Sequence, residues 1–121
     1  MKKILAVDDS TSMRQMVSFT LQTAGYEVHV AADGSEALTL AKQTQFDLVI
    51  SDINMPVMDG ITLIKELRAL DQYRFTPLLM LTTESSPEKK QQGRAAGATG
   101  WIVKPFNPEQ LLATAAKVLR F

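Results

Sequence analysis

The chain has 121 residues, 45% hydrophobic and 21% charged, with 13 basic side chains against 13 acidic ones; this suits one globular domain and lacks the basic excess that grips nucleic acid. With no cysteine and a lone His29, disulfides, thiolate chemistry and a histidine zinc site are excluded. No apolar run approaches the roughly 18 residues of a membrane span, and the run after Lys2-Lys3 is shorter than the about 7–15 apolar residues of a signal peptide, so a cytoplasmic protein that binds neither membrane nor DNA is expected.

Ile4 to Val7 is an apolar run that halts at Asp8-Asp9. Ser10 or Thr11 can cap a helix in which Met13, Met16, Val17, Leu21 and Ala24 recur at helical spacing, with Gly25 suited to the position just past its end. Val28 and Val30 alternate with Glu27 and His29, the pattern of a less buried strand. Asp33-Gly34-Ser35-Glu36 is a capping box that opens a helix with Ala37, Leu38 and Ala41 inward. Phe46 to Ser51 is a strand apolar enough to be buried on both faces, and it ends abruptly at Asp52. After the Met55 to Gly60 loop, Ile61, Ile64, Leu67 and Leu70 mark another helix face. Pro77 introduces Leu78-Leu79-Met80-Leu81, which ends at Thr82-Thr83-Glu84. Ser85-Ser86-Pro87-Glu88 reads as a further capping box, its helix ending at Gly97. Gly100 to Val103 is a fifth strand, stopping at Lys104-Pro105. Asn107-Pro108-Glu109-Gln110 caps a last helix with Leu111, Leu112, Ala115, Ala116 and Leu119 inward.

Five strands alternating with five helices predict βαβ units and one α/β domain over residues 1–121. Right-handed crossovers favour a doubly wound, flavodoxin-like (βα)5 fold, its five-stranded parallel sheet in the order 2-1-3-4-5. Strands 1, 3, 4 and 5 then deliver Asp8-Asp9, Asp52, Thr82 and Lys104 to one carboxyl edge, where open α/β sheets bind their ligands. Singly, each residue is an unremarkable cap or strand end. Together they bring three carboxylates, a hydroxyl and an ammonium to one place. The carboxylates would repel one another unless a cation sat among them, and a hard ion such as Mg²⁺ (or Mn²⁺) takes such oxygen ligands while leaving room for phosphate oxygens. Asp52 could then act as nucleophile toward a phosphoryl group.

The acidic pair, the Asp52-x-x-Met55-Pro56-x-x-Asp59-Gly60 loop, Thr82 and Lys104-Pro105, all in order and each at a strand end, resemble the receiver domains of two-component response regulators. The likeness covers the whole chain and is closest to the stand-alone chemotaxis (CheY-like) type, which is itself a standard example of the 2-1-3-4-5 order. It implies Asp52 as phosphoacceptor, Asp9 as direct metal ligand with Asp8 acting through ordered water, and the Asn54 backbone carbonyl as a further metal oxygen. It also implies that Thr82 and Lys104 hold the phosphoryl group, that the Lys104-Pro105 bond is cis, and that Asn54 and Glu84 border the water that later hydrolyses the aspartyl phosphate. Trp101 stands where the family usually has a Tyr or Phe that switches rotamer with the Thr, which puts the geometry of that switch at issue. Asp59-Gly60 reads as a cap and turn, the methionines (Met13, Met16, Met80) as core filler, His29 as an edge-strand residue, and Lys89-Lys90 as either a solvated helix face or a docking patch.

The resemblance implies a signalling switch rather than an enzyme, catalysing only its own phosphorylation and dephosphorylation. A histidine kinase (CheA-like) is the expected donor. A flagellar motor switch protein or a phosphatase is the expected partner on the output side, through the fourth helix, fifth strand and fifth helix. With nothing after Phe121, output is expected to run through protein contacts, from a monomer. A phosphorelay shuttle or phosphate sink is the alternative. An Asp-nucleophile phosphatase is remote, since such enzymes commonly show Asp-x-Asp-x-Thr and Asp52-Ile53-Asn54 lacks the second acid.

Overall fold

The computed structural model describes residues 1–120; Phe121, the last residue of the expected domain, lies outside the described residues. Strands β1 (Lys3–Val7), β2 (Glu27–Ala31), β3 (Leu48–Ser51), β4 (Leu78–Thr82) and β5 (Gly100–Val103) alternate with helices α1 (Thr11–Thr23), α2 (Gly34–Gln43), α3 (Gly60–Arg68), α4 (Pro87–Ala96) and α5 (Pro108–Val118). All pairings are parallel and the order is β2-β1-β3-β4-β5, as the alternation predicts.

Alternate residues of the inner strands face two cores. Leu5, Val7, Val49, Leu78 and Met80 pack under α2 and α3, while Ile4, Ala6, Leu48, Ile50, Leu79 and Leu81 pack under α1 and α5. Burial on both faces explains why β1, β3 and β4 carry unbroken apolar runs, whereas edge strand β2 leaves Val30 exposed. Each helix begins with a side-chain cap that satisfies one of its free N–H groups. Ser10 accepts from Met13 N, Asp33 from Glu36 N, Asp59 from Thr62 N, Ser86 from Lys89 N and Asn107 from Glu109 N.

Three local expectations need correction. The α4 cap is Ser86, not Ser85, which puts Pro87 at the first helical position where its missing N–H costs nothing. Met16 matches the α1 period but sits at its rim, 53% exposed, and Ala116 is likewise exposed. Period alone does not say how wide the sheet beneath a helix is. Among the described residues, no helix is long and apolar enough to cross a membrane.

Candidate functional site

Strand register builds the site. Val7 lies opposite Ser51, so the residues that follow, Asp8 and Asp52, leave neighbouring strands at the same level. Asp52 N donates to Val7 O at 3.0 Å, which ties the two strand ends together. Thr82 ends β4 beside Val103, and Lys104 N donates to Thr82 O at 2.8 Å. An apolar strand thus ends in a polar residue at each of these positions, and parallel pairing gathers them on one edge.

The side chains meet. Lys104 Nζ donates to Asp8 Oδ2 at 2.6 Å and to Asp52 Oδ2 at 3.0 Å. Partial burial works against the lysine's charge, but its bonds to the two carboxylates outweigh that and hold the ammonium above the ordinary lysine value. Asp8 Oδ1 accepts from Ser10 N, and Asp52 Oδ1 accepts from Ile53 N at 2.7 Å. Asp8, Asp52 and Thr82 are buried, while Asp9 is exposed. Thr82 Oγ1 accepts from Glu84 N at 3.2 Å, and Asn54 Nδ2 donates to Glu84 Oε1 at 3.2 Å. Trp101, half-buried, donates from its indole to Glu84 O at 2.8 Å. The Lys104-Pro105 bond is cis.

One contributor was not singled out from sequence, and a second was read only in part. Arg14 donates to the Asp8 carbonyl at 2.6 Å and to Thr11 Oγ1, bracing the acidic turn from the first helix. Its only sequence signal is a basic residue at the end of that helix's first turn. Gly60 was read as a turn residue, yet it is also required by space, because a Cβ there would collide with the Asp52 carbonyl.

Asp8, Asp9 and Asp52 each offer an oxygen, all within 4.8 Å of one another. Lys104 balances charge on Asp8 and Asp52, whereas Asp9 has no cationic partner among the described residues. An all-oxygen donor set with surplus negative charge fits a hard divalent cation better than a transition metal.

A family model, the response regulator receiver domain, matches residues 4–116. The chain belongs to that family. Receiver domains are signalling modules of two-component systems that bind Mg²⁺ at an acidic pocket and interact with histidine kinases and downstream targets, and the acidic cluster here is consistent with such a pocket. The fold of this receiver domain matches the crystal structure of chemotaxis protein CheY4 from Vibrio cholerae, at 66% identity and TM-score 0.94 over 98% of each chain. Chemotaxis protein CheY-3 from the same organism is 42% identical over 110 residues, 90% of this chain and 85% of that protein. The DNA-binding dual master transcriptional regulator RpaA of Synechocystis is 38% identical over 120 residues, 99% of this chain and 50% of that one. The chain thus spans about half the length of the transcriptional regulators it matches.

Proposed function

We propose that residues 1–121 form one cytoplasmic receiver domain whose Asp52 accepts a phosphoryl group from a histidine kinase, and that its output is in chemotaxis. The observation that carries the phosphoacceptor role is Lys104 Nζ bridging the buried carboxylates of Asp8 and Asp52. An Asp52 carboxylate oxygen attacks the phosphorus of the donor's phosphohistidine. The new O–P bond forms as the P–N bond breaks, and the leaving imidazole nitrogen keeps the electron pair and takes up a proton. Lys104 and Thr82 hold two of the phosphoryl oxygens, Lys104 by exchanging carboxylate for phosphoryl contacts and Thr82 by turning its hydroxyl, bonded here to Glu84 N, toward the phosphoryl group. A cation held by Asp8, Asp9, Asp52 and the Asn54 carbonyl supplies, when bound, the remaining charge neutralisation. Water later attacks the phosphorus, the bond to Asp52 breaks and inorganic phosphate leaves. Asn54 and Glu84, already hydrogen-bonded to each other, border that water and set its access.

The chemotaxis assignment rests on full-length likeness to chemotaxis proteins, 66% identity over 98% of both chains in one case. The experiment follows the single tryptophan, Trp101, as Mg²⁺ and then acetyl phosphate are added to the wild type and to Asp52→Asn. Saturable Mg²⁺ binding and a phosphoryl mass increment in the wild type alone are expected. No increment in the wild type would overturn the phosphoacceptor role. Binding of a flagellar switch peptide by the loaded protein only is the chemotaxis outcome; transfer onward to a second histidine protein would make it a phosphate sink instead.

A further inference from the structure

Arg14 is a base where the helix field favours an acid. It is the fourth residue of α1, whose first turn carries no acidic side chain. The free N–H groups at that end are partly positive, so a cation there is disfavoured. Arg14 is half-buried and forms no ion pair among the described residues. It gives its fork to neutral oxygens instead, Nη1 to Asp8 O at 2.6 Å and Nη2 to Thr11 Oγ1 at 3.2 Å. The cavity it lines with Val17, Ile50 and Leu81 holds about 10 Å³, room for one water at most, so the fork cannot drop inward.

Asp8 O belongs to the peptide that joins Asp8 to Asp9. Asp8 is held at its other groups too: its N–H donates to Ala31 O at 3.1 Å, and its carboxylate accepts from Ser10 N and Lys104 Nζ. Asp9 is exposed, and its carboxylate forms no ion pair among the described residues. Even so, it offers an oxygen within 4.8 Å of those of Asp8 and Asp52. A peptide is planar, so fixing its oxygen fixes the direction in which the next residue leaves. We infer that Arg14 is a positioning residue for the divalent cation: by pinning the peptide between Asp8 and Asp9, it aims the Asp9 carboxylate into the acidic cluster. The inference rests on the reading of Asp8, Asp9 and Asp52 as the cation site.

Charge and geometry act in opposite directions here. A guanidinium near three carboxylates repels an incoming metal, so by charge alone the loss of Arg14 would tighten binding. By geometry the loss weakens it, since removing a group that orients metal ligands typically costs about 10- to 100-fold in affinity.

Mn²⁺ is the probe, titrated into the wild type, Arg14→Gln and Arg14→Lys and read from the EPR signal of the free ion, with Mg²⁺ as competitor. Arg14→Gln is expected to raise the dissociation constant about tenfold. Lysine keeps the charge and one donor but cannot span both oxygens. A smaller loss is expected there, and this milder variant carries the test should Arg14→Gln fold poorly. In an Asp9→Ala background neither change is expected to weaken binding further, because Arg14 acts through Asp9. Unchanged binding in either variant, or tighter binding in Arg14→Gln, overturns the inference, as does an undiminished loss in the Asp9→Ala background. A wild type that does not bind Mn²⁺, or does not release it to Mg²⁺, overturns instead the cation site itself, and the inference with it.

Discussion

Glu84 is engaged through three groups at once. Its N–H donates to Thr82 Oγ1, its carboxylate accepts from Asn54, and its carbonyl accepts from the Trp101 indole. A shift of the Thr82 hydroxyl therefore reaches the outer strand through one residue. The indole can lie where it does because α4 carries Gly93 beneath it, where a Cβ would come within 2.6 Å of Trp101 Cζ3. A rigid ring cannot bend away from that contact, so Gly93→Ala must displace the indole and break its bond to Glu84 O. The alanine gains about 1 kcal/mol of helix propensity, and loss of the hydrogen bond costs about 0.5–1.5 kcal/mol. Stability is thus expected to change little. Trp101 emission is expected to shift to the red and become open to iodide quenching, and an unchanged emission spectrum would refute this packing account.

At the scale of elements, the segment between α3 and β4 is held by polar groups rather than by pattern. A short 3₁₀ turn, Asp71–Tyr73, buries the Tyr73 ring; its hydroxyl accepts from Phe46 N at 3.2 Å and lies 2.7 Å from Ala41 O and 2.8 Å from Thr44 O. Arg68 gathers the carbonyls of Gly97, Tyr73 and Thr76, its charge disfavoured by burial. Tyr73→Phe leaves buried backbone groups unpaired at a cost of about 1–3 kcal/mol, read as a lower Tm. Burial also holds the Tyr73 phenol above its ordinary 10.0. A raised value means the folded state binds the proton more tightly, so this stabilisation is complete below about pH 10 and declines as pH rises through the folded value. The gap between wild type and Tyr73→Phe should therefore narrow in alkali; a gap that stays constant past pH 10 would count against the assignment. These residues also mark where sequence reading stops. Asp8, Asp52, Thr82 and Lys104 were legible because each interrupts an apolar run, and a parallel sheet must bring such interruptions together. Tyr73 and Arg68 interrupt nothing, and their partners are main-chain groups on distant elements. Ser85 and Ser86 offer the same hydroxyl, and only the entry angle of the chain chooses between them. Leu63, fully buried, fell outside the spacing read for its helix because α3 is covered by α2 and α4 as well as by the sheet.

For the whole molecule, zero net charge hides an uneven distribution. Three carboxylates crowd one sheet edge, and Lys104 is the cation paired with two of them. Breaking a largely buried pair by removing one partner typically costs about 3–5 kcal/mol, because the remaining charge is left uncompensated. Lys104→Met should therefore melt well below the wild type in chelator. A ligand that binds only the folded state stabilises by RT ln(1 + [L]/Kd), about 2.7 kcal/mol at a hundredfold excess over Kd. For a chain of this size that corresponds to a rise of roughly 8–16 °C in Tm. Without Lys104 the same oxygens carry more negative charge, so Mg²⁺ should bind more tightly and raise the Tm of Lys104→Met by more than that of the wild type. Asp9→Ala, which removes the exposed carboxylate lacking a cationic partner, should shrink the Mg²⁺ shift while leaving the metal-free Tm nearly unchanged. Melting curves in EDTA and in Mg²⁺ separate these outcomes. Equal shifts in all three proteins would mean that the cation binds elsewhere, and that the acidic edge is stabilised by Lys104 alone.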